Sequence, residues 1–132
     1  MEFNNTKYLD ILCTIQYTVV NGDAMTNESF ENVILELRRG VIVMAVLSQL
    51  DEEQYGYSLI NRLKEVGLEI DQGTLYPLLR RLEGQGLLQS NWRIEADRPR
   101  RYYVLSDEGR SLLPRLKEEW TRFVSMMDKM LK

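Results

Sequence analysis

Six arginines fall between Tyr76 and Arg101: Arg80, Arg81, Arg93, Arg98, Arg100 and Arg101. Only Glu83, Glu95 and Asp97 oppose them there, so this stretch carries +3 in a chain whose formal net charge is −3. A guanidinium binds phosphate oxygens, or the O6/N7 edge of guanine, through paired N–H donors. Gly73 and Thr74, just upstream, are small enough to let a backbone approach closely, and Tyr76 can donate to a phosphate. These residue types in this order point to contact with double-stranded DNA. The acidic total opposes that reading only weakly, because the distribution of charge matters more than its sum.

Catalysis is poorly supplied. The chain has no histidine, which removes His-based triads, His-ligated metal sites and His pH switches. Its single cysteine, Cys13, cannot form an intrachain disulfide and has no His base to activate it. There is no Gly-rich phosphate loop and no paired carboxylates in a plausible cleft, so no enzyme, metal or cofactor is expected. The longest fully apolar run, Val41–Leu47, is far shorter than the roughly 20 residues of a membrane span. The N-terminus lacks a signal-peptide layout, since Lys7 is its only basic residue and Thr14, Gln16 and Thr18 interrupt Ile11–Val20. A soluble cytoplasmic protein is the expectation.

The arginines need a scaffold. The periodicity predicts a first helix from a cap at Thr26 or Asn27 to about Leu50, with Ile34, Leu37, Val41 and Met44 on one stripe. Gly40 within it suggests close helix packing. A second helix spans about Tyr55–Val66 and ends at Gly67. Asp71 caps a third, which runs to about Gln85 and ends at Gly86. On that third helix Leu75, Leu78, Leu79 and Leu82 share one side and Arg80 lies opposite, with Arg81 on one flank and Tyr76 on the other.

Leu87–Ile94 and Arg100–Leu105 read as strands joined by Glu95–Pro99, with Pro99 placed in the turn because it cannot donate a ladder hydrogen bond. Of Tyr102 and Tyr103, which alternate faces, one belongs to the core and the other to the hairpin's cover. A helix followed by an arginine-tipped hairpin is the pattern of a winged helix-turn-helix: mostly α, with a small β-hairpin. The helix suits a major groove, and Arg98, Arg100 and Arg101 suit the adjacent minor groove. Against this, any one arginine could be a solvated charge; Arg81 could pair with Glu52 or Glu53, and Arg93 could simply sit on the hairpin surface.

Ser106 caps a last helix on which Leu113, Leu116, Trp120, Phe123, Met127 and Met130 step by three and four. With the stripe of Ile34, Leu37 and Val41, this seam predicts a homodimer interface. Three segments follow: an N-terminal extension (1–25), a winged helix-turn-helix (26–105) and a dimerisation helix (106–132). The extension contains the β-prone Ile11–Val20 and an Asn21-Gly22 turn signal. It reads as loosely attached or non-native, with Met25 the natural first residue; the alternative is an arm that packs on a partner subunit.

The stretches YGYSLINRL (55–63), GTLYPLLRRLEGQGLL (73–88) and RPRRYYVLSDEG (98–109), with the tryptophan of KEEW (117–120), resemble the PadR family of bacterial regulators. The single short last helix is similar to the family's compact branch. The resemblance implies a homodimeric repressor on an inverted-repeat operator. It implies DNA contacts at Tyr57, Thr74, Tyr76, Arg80 and the wing arginines. It also implies that Trp120 can stack on a planar aromatic effector at the dimer interface, where Phe123 and Met127 would give an adaptable apolar lining. Tyr55 stands where the family often has His, and Asp71-Gln72 where it often has Ser-Pro. The rival reading is a winged-helix module that binds protein and not DNA.

Overall fold

A computed structural model describes residues 22–132, with side chains from Asn27 onward. The β-prone segment Ile11–Val20 lies outside the described residues. The chain runs α1 (Gly22–Ser48), β1 (Gln54–Tyr55), α2 (Gly56–Glu65), α3 (Gln72–Gly84), β2 (Leu88–Glu95), β3 (Arg98–Leu105) and α4 (Asp107–Met130). Helix α1 starts earlier than expected. Thr26 and Asn27 are inside it and do not cap it, because both are tolerated within a helix at a cost of tenths of a kcal/mol. Nothing between Ala24 and Arg39 is Gly or Pro, so no breaker stops the helix there.

The ends of α2 and α3 follow the glycines. Gly67 and Gly86 take left-handed φ values of 96° and 84°. At each, the next residue's N–H reaches back five positions, Leu68 to the Leu63 carbonyl and Leu87 to the Leu82 carbonyl, both at 3.0 Å. This is the Schellman arrangement, which satisfies the last carbonyls and turns the chain sharply. The second of these turns delivers the chain from α3 directly into β2.

Among the described residues the sheet has three strands, in the order β1-β3-β2. Strand β1, absent from the sequence reading, pairs Gln54 with Tyr103 and Tyr55 with Tyr102. The hairpin β2–β3 also differs from expectation. Its turn is only Ala96-Asp97, at φ 49° and 63°, and Pro99 lies within β3 opposite Ile94. Two consecutive positive φ values make the tight turn that matches strand twist. The pair closing such a turn, Glu95–Arg98, exchanges hydrogen bonds, so at the next pair the backbone N positions face outward. Pro99 therefore withholds an N–H only from an edge that the short β1 does not reach.

Ile42, Val46, Leu47 and Leu50 of α1 form the core with Leu59 and Leu63 of α2, the four leucines of α3, and Leu88, Tyr103 and Leu105 of the sheet. Gly40 is in no close packing among the described residues, since a methyl added there would meet none of their atoms. Gly109 is the tight position. It sits in the first turn of α4, where Ser106 Oγ accepts its N–H at 3.0 Å, and a methyl there would run into the Leu87 carbonyl oxygen. The last helix is thus seated against the start of β2 by a residue with no side chain.

Candidate nucleic-acid interface

Helix α3 is oriented by its first turn. Asp71 Oδ1 accepts the Thr74 N–H at 2.8 Å, as the sequence predicts. With the start fixed, Leu75, Leu78, Leu79 and Leu82 are buried, while Arg80 and Arg81 are exposed. Neither arginine makes an ion pair among the described residues. Tyr76 is half-buried and packs on the core. Its phenol lies so close to Gly56 that a methyl on that glycine would collide with it. Tyr76 therefore braces the start of α2 as well as facing outward, a role that its residue type alone does not announce.

Between α3 and the hairpin lies a cleft of about 630 Å³. Strand β1 supplies Tyr55, the start of α2 supplies Gly56 and Tyr57, α3 supplies Gln72 and Tyr76, and the wing supplies Trp92 and residues 98–101. Among the residues singled out from sequence, the cleft unites Tyr57, Tyr76, Arg98, Arg100 and Arg101. Thr74, Arg80 and Arg81 are not part of its lining. Tyr55, Gln72 and Trp92 were missed. Strand alternation from buried Leu88 would have placed Trp92 on the same face as Ser90, opposite Arg101.

The wing arginines have different surroundings. Arg98 has no ion pair among the described residues. Arg100 Nη1 lies 3.3 Å from Glu95 Oε1, and its guanidinium stacks 4.5 Å from the centre of the Tyr55 ring. Arg101 Nη2 donates to Glu83 Oε1 at 2.9 Å, and its Nε donates to Ser90 Oγ at 3.0 Å. Glu53, offered above as a partner for Arg81, is instead paired with Arg93 and accepts from Asn91 Nδ2 at 3.0 Å.

The adjacent tyrosines divide as expected. Tyr103 belongs to the core, and burial raises its pKa above the ordinary phenol range. Tyr102 lies beneath Arg93, 4.2 Å from ring centre to guanidinium. Its hydroxyl donates to Glu95 Oε1 at 2.7 Å, and that bond is the main cause of its own raised pKa. Both phenols therefore stay neutral at ordinary pH.

A second surface is apolar. Phe30, Val33 and Leu37 on α1 are 62%, 63% and 66% exposed. On α4, Trp120, Phe123, Met127 and Met130 are also exposed. Leu113 and Leu116, by contrast, pack on the chain's own core, and Ile34 and Val41 are half-buried. Phe30 and Val33 were missed by the sequence reading, which began its stripe one turn later. Trp120 closes an apolar recess of about 230 Å³ with Val41, Met44, Ala45 and Ser48; Phe123 and Met127 do not line it.

Residues 43–115, from the second half of α1 into α4, match the model of the transcriptional regulator PadR-like family. The chain belongs to the PadR-like family. Among solved structures, a PadR family transcriptional regulator from Eggerthella lenta is 44% identical, with a TM-score of 0.76 over 82% of this chain and 96% of that one. A PadR-like regulator from Bacillus cereus is 27% identical, with a TM-score of 0.65 over 74% of this chain and 97% of that one. Transcriptional regulator Rv3488 of Mycobacterium tuberculosis is 38% identical over 79 residues, 59% of this chain and 74% of that protein. PadR-like proteins are transcriptional regulators, not enzymes, and the mostly helical fold with its small antiparallel sheet is theirs. No helix among the described residues is long and apolar enough to cross a membrane.

Proposed function

We propose that this PadR-like chain is a homodimeric repressor that binds an inverted-repeat operator and is released by a planar aromatic ligand. One observation carries the DNA face. Exposed Tyr57, half-buried Tyr76 and the cations Arg98 and Arg100 converge on one cleft, and Arg80 and Arg81 extend the cationic face along α3. In this reading α3 enters the major groove, with Thr74, Tyr76, Arg80 and Arg81 toward the DNA. Tyr57 and Arg100 hold the backbone, and Arg98 at the wing tip reaches the minor groove.

The exposed apolar surface supports the dimer. Phe30, Val33 and Leu37 on α1 and Trp120, Phe123, Met127 and Met130 on α4 form a larger apolar display than scattered surface residues require. Two copies would bury it about a two-fold axis, with Ile34 and Val41 at its inner margin and Leu113 and Leu116 supporting α4 from behind. The recess beside Trp120 would then lie next to the interface. A flat aromatic ligand stacked there would alter how α4 packs on α1, and with it the spacing of the two DNA-binding heads.

Binding-site selection from random DNA with the purified protein tests the proposal. The expected product is an inverted repeat whose half-sites lie one or two helical turns apart. A single asymmetric half-site, or no enrichment, would contradict it.

A further inference from the structure

The cationic side chains of the wing fall into two classes. Arg98 has no carboxylate partner among the described residues and lines the open cleft. Arg101 closes a ring of three hydrogen bonds across three elements. It donates to Glu83 at the end of α3 (2.9 Å) and to Ser90 on β2 (3.0 Å), and Ser90 Oγ donates to the other Glu83 oxygen at 2.7 Å. Both oxygens of Glu83 are therefore engaged. The two side chains are only 34% and 28% exposed. Charge-assisted bonds of this kind are among the stronger ones. They take two of Arg101's five N–H donors and tie its guanidinium to α3 and β2, although Arg101 also borders the cleft. Arg98 has no such tie.

The alternation of β-strands sets Arg101 and Ser90 on one face of the hairpin and Arg93 and Asn91 on the other. Glu53, ahead of β1, holds Arg93 and Asn91. The wing is thus pinned from both sides, by a carboxylate before the sheet and by one at the end of α3.

We propose that Arg101 is a positioning residue and not a DNA contact: with Glu83 and Ser90 it locks the wing to α3 and fixes the angle at which both meet DNA. The proposal rests on the DNA face described above. Its physical content is preorganisation. A wing already held at the right angle pays less ordering cost on binding, and only DNA whose grooves fit that angle receives the full benefit.

The test compares Arg101→Met, Glu83→Gln and the double variant with Arg98→Met. Affinity for the selected operator and for random DNA is measured across a salt series. As a clamp, Arg101→Met lowers operator affinity about tenfold while leaving the slope of log affinity against log salt unchanged. Glu83→Gln costs a similar factor, and the double variant is no worse than either single one. Arg98→Met, removing one cation from the DNA face of each protomer, flattens the slope by about two units per dimer.

If Arg101→Met also flattens the slope by about two, and Glu83→Gln leaves operator affinity unchanged or tighter, Arg101 is a contact and the proposal is overturned. If neither Arg98→Met nor Arg101→Met changes operator or random-DNA binding, the DNA face itself fails and the clamp with it. Should Arg101→Met not fold, Ser90→Ala opens the same ring more gently. A several-fold loss of operator affinity at constant slope then supports the clamp, and unchanged affinity overturns it.

Discussion

Replacing Arg80 and Arg98 together by alanine lowers operator affinity by roughly 1000-fold and leaves the dimer intact. The estimate counts about 1 kcal/mol for each of four contacts, two from each protomer. If all four are phosphate contacts, the salt slope also falls by about three to four units. The expectation is sharp because neither arginine has an ion-pair partner among the described residues. Their removal strands no carboxylate, so thermal stability should stay within about 0.5 kcal/mol of the parent, as for other surface substitutions. A mobility shift across a salt series, with sedimentation as the control, reads both quantities. Unchanged affinity would remove α3 and the wing tip from the DNA contact.

A charge placed in the apolar seam has an effect of similar size by a different route. Phe123 is 50% exposed in the single chain, while Leu113 and Leu116, earlier on the same seam, are held by the core. Phe123→Glu should therefore leave each protomer folded. It would place two carboxylates in the middle of the proposed interface, where charge is most costly. The variant should sediment as a monomer at micromolar concentration. Without its partner, each head loses the effective concentration that linkage provides, and operator affinity should fall by roughly 100- to 10,000-fold. A variant that remains dimeric would move the interface elsewhere.

The parts of this architecture governed by local chemistry were legible in the sequence. Asp71 and Ser106 cap the helices that they were expected to cap, and Gly67 and Gly86 turn the chain where a left-handed residue is needed. The leucines of α3 face inward because a 3.6-residue period leaves them no other side. Where the sequence misled, a non-local or weak signal was at work. Ala96-Asp97 forms a turn usually marked by Gly or Asn, so the sequence predicts a shorter hairpin with Pro99 outside its strands. Strand β1 is two residues long and exists only because β3 is there to receive it.

The site was legible in residue types and less so in partnerships. Arginine identity predicts a cationic face, yet the partners Glu53 and Glu83 lie 40 and 18 residues from Arg93 and Arg101. No periodicity reports a pairing across such distances. The same holds for Tyr76, whose contact with Gly56 depends on how α2 and α3 cross. For Trp92 the signal is present in the strand alternation, which sets it opposite Arg101. The fold therefore sorts a set of similar arginines into those held by carboxylates, Arg93, Arg100 and Arg101, and those with no ion pair among the described residues, Arg80, Arg81 and Arg98.

Amide hydrogen exchange of the dimer with and without its selected operator tests the central claim most directly. The account predicts that DNA slows exchange in residues 72–81 and 92–101, the first turns of α3 and the wing, and leaves α4 from Trp120 onward unchanged. Protection confined to α4, or no protection in α3, would contradict it.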